Sequence, residues 1–407
     1  AIYRFGSYVV LPGINPAMLT QLHQQTSEGL LALLNMFSGG AFSNASIFAL
    51  GIMPYISASI VIQLLGIAVP YFQKLQREGE SGRRKMNQYT RYLTIIILLV
   101  QAPSYLLNLK MQAGPSLNAS LDWTLFMLTS TIILAAGSMF ILWLGERITD
   151  KGIGNGISLI IMVGIIARLP QSLFQELISR MTDKTGGLIM FLFEIVFLLI
   201  VIAGAILLVQ GTRKIPVQYA KRVVGRKMYG GQATHIPLKV NQAGVIPVIF
   251  AMSFLQFPLT ITYFMNSESG AAAWIEKWLS PTGTPGVWVY AAFNVVLIIF
   301  FTYFYTSVTF NPVEVAQNMK ANGGFIPGIR PGKATVEYLN RVMTRITFVG
   351  AVFLAAVAIL PTIVSQLGGL NFHFGGTSLL IAVGVALDTM KQLENQMVMR
   401  NYQGFLK

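Results

Sequence analysis

The sequence predicts an all-α integral membrane protein of ten transmembrane helices in two pseudo-symmetric, inverted five-helix halves. Three observations predict it: an excess of apolar residues, regularly spaced apolar segments, and basic residues gathered in every second loop. Of the 407 residues, 54% are hydrophobic and 11% charged, and the mean hydropathy is +0.61. A soluble domain carries roughly 25% charged residues. A core of this length does not need so much apolar surface, so the excess faces lipid. The 38 glycines and 17 prolines fit this class, since both are tolerated in membrane helices. With no cysteine, a disulfide framework and thiolate metal sites are excluded.

The chain opens in an apolar stretch, Ala1–Leu11, which contains Arg4 and is too short to span ~30 Å of hydrocarbon. It reads as the remnant of a first helix that starts outside this chain. Nine further apolar segments follow, at about 47–69, 92–109, 123–145, 153–169, 187–210, 243–264, 287–310, 346–366 and 374–392. Several reach the ~20 residues that a crossing needs. The fifth span of the ten, after Gly156, is short and is expected to stand upright or be shielded by neighbours.

Charge orients these spans. Loops 70–91, 146–152, 211–242 and 311–345, with the segment from Lys391, hold 23 of the 29 Lys and Arg. The alternate loops hold five: Lys110, Arg168, Arg180, Lys184 and Lys277. This alternation places both termini and the basic loops in the cytoplasm. Loops 211–242 and 311–345 are too long to be mere connectors and read as docking surfaces.

Five spans per half is an odd number, so the halves are inverted. The repeat is visible in Gly51-Ile-Met-Pro54-Tyr-Ile56 and Gly244-Val-Ile-Pro247-Val-Ile249, at equivalent places in each half. Gly324-Phe-Ile-Pro327-Gly-Ile329 fits the same pattern inside a basic loop, so placement carries more weight than the match itself. Interrupted helices at matching places in inverted halves mark a pathway at the repeat interface.

Intramembrane ionisable groups are few: Glu194 in the sixth span, Asp388 in the tenth, and Glu146 at a helix end. Coupled pumps need such groups in connected sets. His23, His235 and His373 fall in connecting segments, which argues against a metal site or proton relay. No G-x-x-x-x-G-K-[ST] loop, nucleophile elbow or paired catalytic carboxylates appear. The chain therefore reads as a conduit or carrier with no catalytic residues, no metal site and no cofactor. A secondary transporter of a small solute is the alternative at this point. Between Leu30 and Ser46 lies a glycine-broken apolar segment that is either an external packed helix or a short re-entrant element.

Six ordered motifs resemble the SecY family over nearly the whole chain. They are Gly51–Ile60, Gly79–Lys85, Gly152–Ser158, Tyr229–Gln232 with Pro237–Asn241 and Ala243–Pro247, Gly324–Gly332 and Phe374–Leu380. The resemblance implies an hourglass pore that moves unfolded secretory chains across the bacterial inner membrane and releases hydrophobic segments laterally into lipid. It puts Ile52, Ile56, Ile157, Ile161, Ile249 and Ile381 in an aliphatic pore ring, which excludes ions by dewetting. It makes the segment from about 30 to 44 a plug, with Leu34, Asn35, Phe37, Gly39, Gly40 and Phe42. Helices at Ser57, Ile60 and Gln63, and at Ser253 and Phe257, become a lateral gate. A Gln63–Ser253 hydrogen bond across that gate is worth ~0.6 kcal/mol. A signal-peptide core of about ten leucine-like residues gains ~3–6 kcal/mol on reaching lipid, enough to open it.

The basic loops are similar to docking sites for the SecA motor and the ribosome. Lys221, Arg222, Arg226 and Lys227 stand at the ribosome-facing tip, and Arg330 at the motor-activating position. The family further implies SecE and SecG as partner subunits, signal peptides and secretory chains as substrates, contact with lipid, and no DNA. The halves are expected at residues 1–170 and 171–407.

Overall fold

The computed structural model describes residues 1–16, 19, 35, 38–113, 122–152, 154–182, 187–219, 222–224, 227–229, 233–262, 270–279, 286–368 and 376–404. Each of the nine apolar segments has most of its described residues on a helix. After α1 (Ile2–Gly6) come α2 (Met53–Ala68), α3 (Pro70–Arg77), α4 (Glu80–Ala113) and α5 (Trp123–Asp150). Then follow α6 (Gly156–Thr182), α7 (Gly187–Gln210), α8 (Ile246–Thr262), α9 (Gly270–Leu279) and α10 (Gly286–Thr309). The last are α11 (Pro312–Ala321), α12 (Lys333–Gly368) and α13 (Gly376–Gly404). Among the described residues, five helices are long and apolar enough to cross a bilayer singly. A sixth candidate is the bent pair α2 and α3, and Gly156–Gln171 and Ile246–Leu255 form shorter apolar helices.

The helix boundaries follow from local chemistry. Gly51, at φ +55, turns the chain into α2, and Pro54 occupies its first turn, where the missing N–H costs nothing. Pro70 forces Val69 into extended backbone, which ends α2 and starts α3. Asp122 caps α5 by accepting from Thr124 N at 3.2 Å. The Asn155 side chain accepts from Ile157 N and Ser158 N at 3.1 and 3.3 Å, capping α6.

The fifth span differs from its expected length. Helix α6 continues through Pro170 to Thr182, well past the apolar segment ending near 169. Hydropathy falls there, but Gln, Leu, Glu and Met sustain a helix without being apolar enough to count as membrane.

The chain divides into two compact units. The first comprises Ala1–Leu192, Met252–Ala292 and Val385–Lys407, and the second Phe193–Ala251 and Phe293–Gly384. In the first unit, α4 and α5 are pinned at both ends. The Arg91 guanidinium grips the Glu146 carboxylate with two bonds of 2.9 and 2.8 Å. At the other ends, Lys110 Nζ lies 4.3 Å from the Trp123 ring centre. Between them Ala102, Leu106, Leu109, Phe126 and Leu134 form a core with Leu11, Phe42, Ala45 and Ala49.

In the second unit the basic loops are partly folded. β1 (Thr212–Tyr219) pairs antiparallel with β4 (Ala233–Lys239) and with β5 (Gly324–Phe325), in the order β4-β1-β5. Pro216 sits where β1 has only β4 beside it, so its missing N–H breaks no second ladder. Ile215, Val217 and Leu238 from the sheet pack on Ala316 and Met319 of α11 and on Leu339 and Met343 of α12. In the sequence these residues show only as basic loop. The alternation of Ile215 and Val217 is too short to stand out among basic residues.

Candidate gate and plug

Residues 38–51 form a run of tight turns between α1 and α2. Gly39 and Gly40 take φ +64 and +94, conformations that side chains rarely tolerate. Buried polar groups close the turns internally. Asn35 Oδ1 accepts from Ser43 N at 3.0 Å, and its carbonyl accepts from Gly40 N at 2.8 Å. Ser38 Oγ donates to Asn35 O and accepts from Phe42 N. Ser46 Oγ donates to Ala41 O at 3.1 Å. This network explains how so polar a segment is buried: much of its hydrogen bonding is met within the turns.

The segment sits against the two helices that carry four of the six predicted ring isoleucines. A Cβ on Gly51, at the mouth of α2, would stand 3.6 Å from Ser38 Cα. A Cβ on Gly39 would stand 3.0 Å from Gly164 Cα of α6, three residues beyond Ile161. Ile52, Ile56 and Ile161 are buried, and Ile157 is half-buried against Gly145 of α5. Spacings of four keep Ile52 with Ile56, and Ile157 with Ile161, on one face of each helix. In the second unit Ile249 and Ile381 are also buried. Their helices meet closely, since a Cβ on Gly384 would fall 2.3 Å from Val245 Cγ2.

Among the plug residues, Asn35, Gly39, Gly40 and Phe42 are described, whereas Leu34 and Phe37 lie outside the described residues. Of the gate positions, Ile60 and Ser253 are buried, Ser57 and Gln63 are half-buried, and the Phe257 side chain lies outside the described residues. The expected Gln63–Ser253 bond is not made. Gln63 Nε2 donates to Ser59 Oγ at 3.3 Å on its own helix, and Ser253 Oγ is buried without a hydrogen-bond partner. An i,i+4 acceptor on the same helix is satisfied without bringing two helices into register.

Of the docking positions, Lys221 and Arg226 lie outside the described residues. Arg222 and Lys227 fall on a hairpin of β2 (Arg222–Val224) and β3 (Lys227–Tyr229). Arg330 is exposed on the turn between β5 and α12, where its carbonyl accepts from Thr335 Oγ1 at 2.9 Å.

The structure also brings in residues that the sequence reading did not select. Tyr105 of α4 donates to Phe42 O, and Asn44 Nδ2 donates to Ser7 O at 3.1 Å. Arg4 of α1 donates to Gly39 O, and Arg168 of α6 approaches Ser43 Oγ. Arg4 carried a readable signal, since a cation inside an apolar segment marks function by default, whereas Arg168, at the end of the fifth span, counts in the sequence only as loop charge. Of the acidic candidates, Glu194 of α7 is buried. Glu146 is held by Arg91, Asp388 is exposed, and no cluster of three metal-ligating side chains exists among the described residues.

The model of the SecY family matches residues 46–390. The protein translocase subunit SecY of Mycobacterium tuberculosis is 46% identical over 421 residues, covering all of this chain and 94% of the relative. That of Halalkalibacterium halodurans is 49% identical over 422 residues, with the same coverage. Two solved structures share the fold at 20% and 17% identity. One is of a SecY protein whose plug domain stabilises the closed state of the translocation channel, with TM-score 0.63, covering 98% of this chain and 90% of that one. The other is the idle yeast Ssh1 complex bound to the yeast 80S ribosome, with TM-score 0.65 and coverages of 98% and 87%. The match spans the turns at 46–51, α6, the β1–β4 platform and most of α13, so this multi-pass membrane chain belongs to the SecY family of protein translocase channels.

Proposed function

We propose that secretory polypeptides cross through a ring of Ile52, Ile56, Ile157, Ile161, Ile249 and Ile381, closed at rest by the segment from about 30 to 44. The observation that supports this is the seat of that segment: Ser38 against Gly51 and Gly39 against Gly164, beside the ring positions of α2 and α6. Aliphatic side chains suit the task because they exclude water from an empty conduit yet offer a passing chain nothing to bind. The halves that form the ring are residues 1–170 and 171–407.

Hydrophobic segments leave through a lateral gate at Ser57, Ile60, Gln63, Ser253 and Phe257. With Gln63 bonded within its own helix, the gate parts without breaking a Gln63–Ser253 bond. A signal peptide's partition into lipid, worth ~3–6 kcal/mol, then acts mainly against apolar packing.

The chain works in the bacterial inner membrane with both termini cytoplasmic, an orientation that the alternation of basic loops supports. SecE and SecG accompany it. The SecA motor engages the platform that presents Arg330, and the ribosome engages Lys221, Arg222, Arg226 and Lys227 by charge neutralisation, a salt-sensitive contact. Reconstitution with these subunits and the motor tests the reading. A precursor should become protected from external protease only when motor and ATP are present. Protection that needs neither, or none under any condition, contradicts it.

A further inference from the structure

We infer that Arg4 and Arg168 are positioning residues that clamp the Gly39–Gly40 tip of the plug in the closed channel. The inference rests on the plug reading above.

Two cations from distant parts of the chain converge on adjacent residues. From α1, Arg4 donates one guanidinium nitrogen to the Gly39 carbonyl and the other to the Tyr8 hydroxyl at 3.1 Å. Its guanidinium also lies 5.4 Å from the Tyr8 ring centre, which fixes its direction. From α6, Arg168 lies along Gly40 so closely that a Cβ there would stand 3.1 Å from both Nε and Nη2. Its Nη2 reaches Ser43 Oγ at 3.5 Å. Glycine is thus required twice at the tip, by the positive φ and by the approach of Gly164 and Arg168.

Ordinary packing does not explain arginine here. A leucine would fill such space without the penalty that a cation carries in a membrane segment. What arginine adds is a directional, charge-assisted hydrogen bond. Its plug-side acceptors are neutral, a carbonyl and a hydroxyl, so releasing the tip leaves no counter-charge behind in the segment that moves. The freed guanidiniums hydrate once water enters the conduit. Such a clamp is firm at rest yet reversible, as a gate needs. It also places like charges on neighbouring residues, so the tip is held against their mutual repulsion.

The test is resting ion conductance of the complete reconstituted translocase in planar bilayers, with export of an ordinary precursor as the control for folding. Arg4→Gln and Arg168→Gln should each raise the resting leak about tenfold, the factor for losing one charge-assisted hydrogen bond. Arg4→Lys should rescue only in part, because a point charge does not span Gly39 and Tyr8 together. Ser43→Ala probes the clamp from the plug side and serves if an arginine variant fails to assemble. In a channel lacking residues 38–44, the arginine substitutions should add nothing. Variants that export normally and stay as tight as the parent overturn the clamp, as does an equal added leak in the plug-deleted channel. A plug-deleted channel that does not leak overturns instead the plug reading on which the clamp rests.

Discussion

The Tyr105 hydroxyl donates to the Phe42 carbonyl at 2.9 Å, and the two rings meet edge to face with centres 4.7 Å apart. This joins the 38–51 turns, the proposed plug, to α4 across 63 residues of sequence, within a buried apolar core. Tyr105→Phe keeps the ring contact and leaves the Phe42 carbonyl with only the Ala45 N–H at 3.2 Å, so the loss is that of one ordinary hydrogen bond, about 0.5–1.5 kcal/mol. We predict a lowered thermal midpoint in detergent, together with faster labelling of a cysteine introduced at position 42. An unchanged labelling rate would show that the bond does not hold the plug.

Gly156→Ala should be far more disruptive. Its new methyl carbon would fall 1.9 Å from the Gly145 carbonyl oxygen, so α5 and α6 must separate. Overpacking of this kind typically costs about 1–3 kcal/mol, and more where backbone is the obstacle. Loss of assembled protein, measured by size-exclusion yield, checks this. Gly270→Ala at the start of α9 is the control, since the position is exposed, nothing lies within 4 Å of it and its φ is not positive.

Glu146→Gln separates a channel from a carrier. The Arg91–Glu146 pair is part-exposed, with side-chain exposures of 47% and 26%, so its loss should cost no more than about 1 kcal/mol. Export should persist near the parental rate. Complete loss of export at preserved protein level would instead give Glu146 a transport role.

Arg330→Ala should leave the resting channel tight while reducing motor-driven export about tenfold or more. The side chain is exposed, and the turn is held by its carbonyl rather than its guanidinium. Motor ATPase stimulated by the reconstituted channel is the readout. Full stimulation would move the motor contact elsewhere on the platform.

The spans were legible because apolar length and loop charge are additive signals, insensitive to packing. The glycine-proline starts of α2 and α8 were legible for a local reason: Gly51 and Gly244 both take positive φ, at +55 and +65. The plug's seat was not, because it depends on where Gly164, Tyr105 and Arg168 come to lie, and no short-range pattern links those positions. The platform strands were hidden by brevity, with only Ile215 and Val217 of β1 and Leu238 of β4 fully buried among basic and polar neighbours. The Gln63–Ser253 bond was expected from the gate positions that the resemblance implies and from the polarity of the two side chains, whereas Ser59 one turn away supplied a nearer acceptor.

The central claim, that polypeptide passes between Ile56 and Ile249, is tested most directly by photocrosslinking from those two positions to a secretory chain stalled midway through export. Adducts at both, and none from an outward probe at the exposed Leu199 of α7, are the predicted result. Active export with no adduct at either isoleucine would contradict the pore assignment.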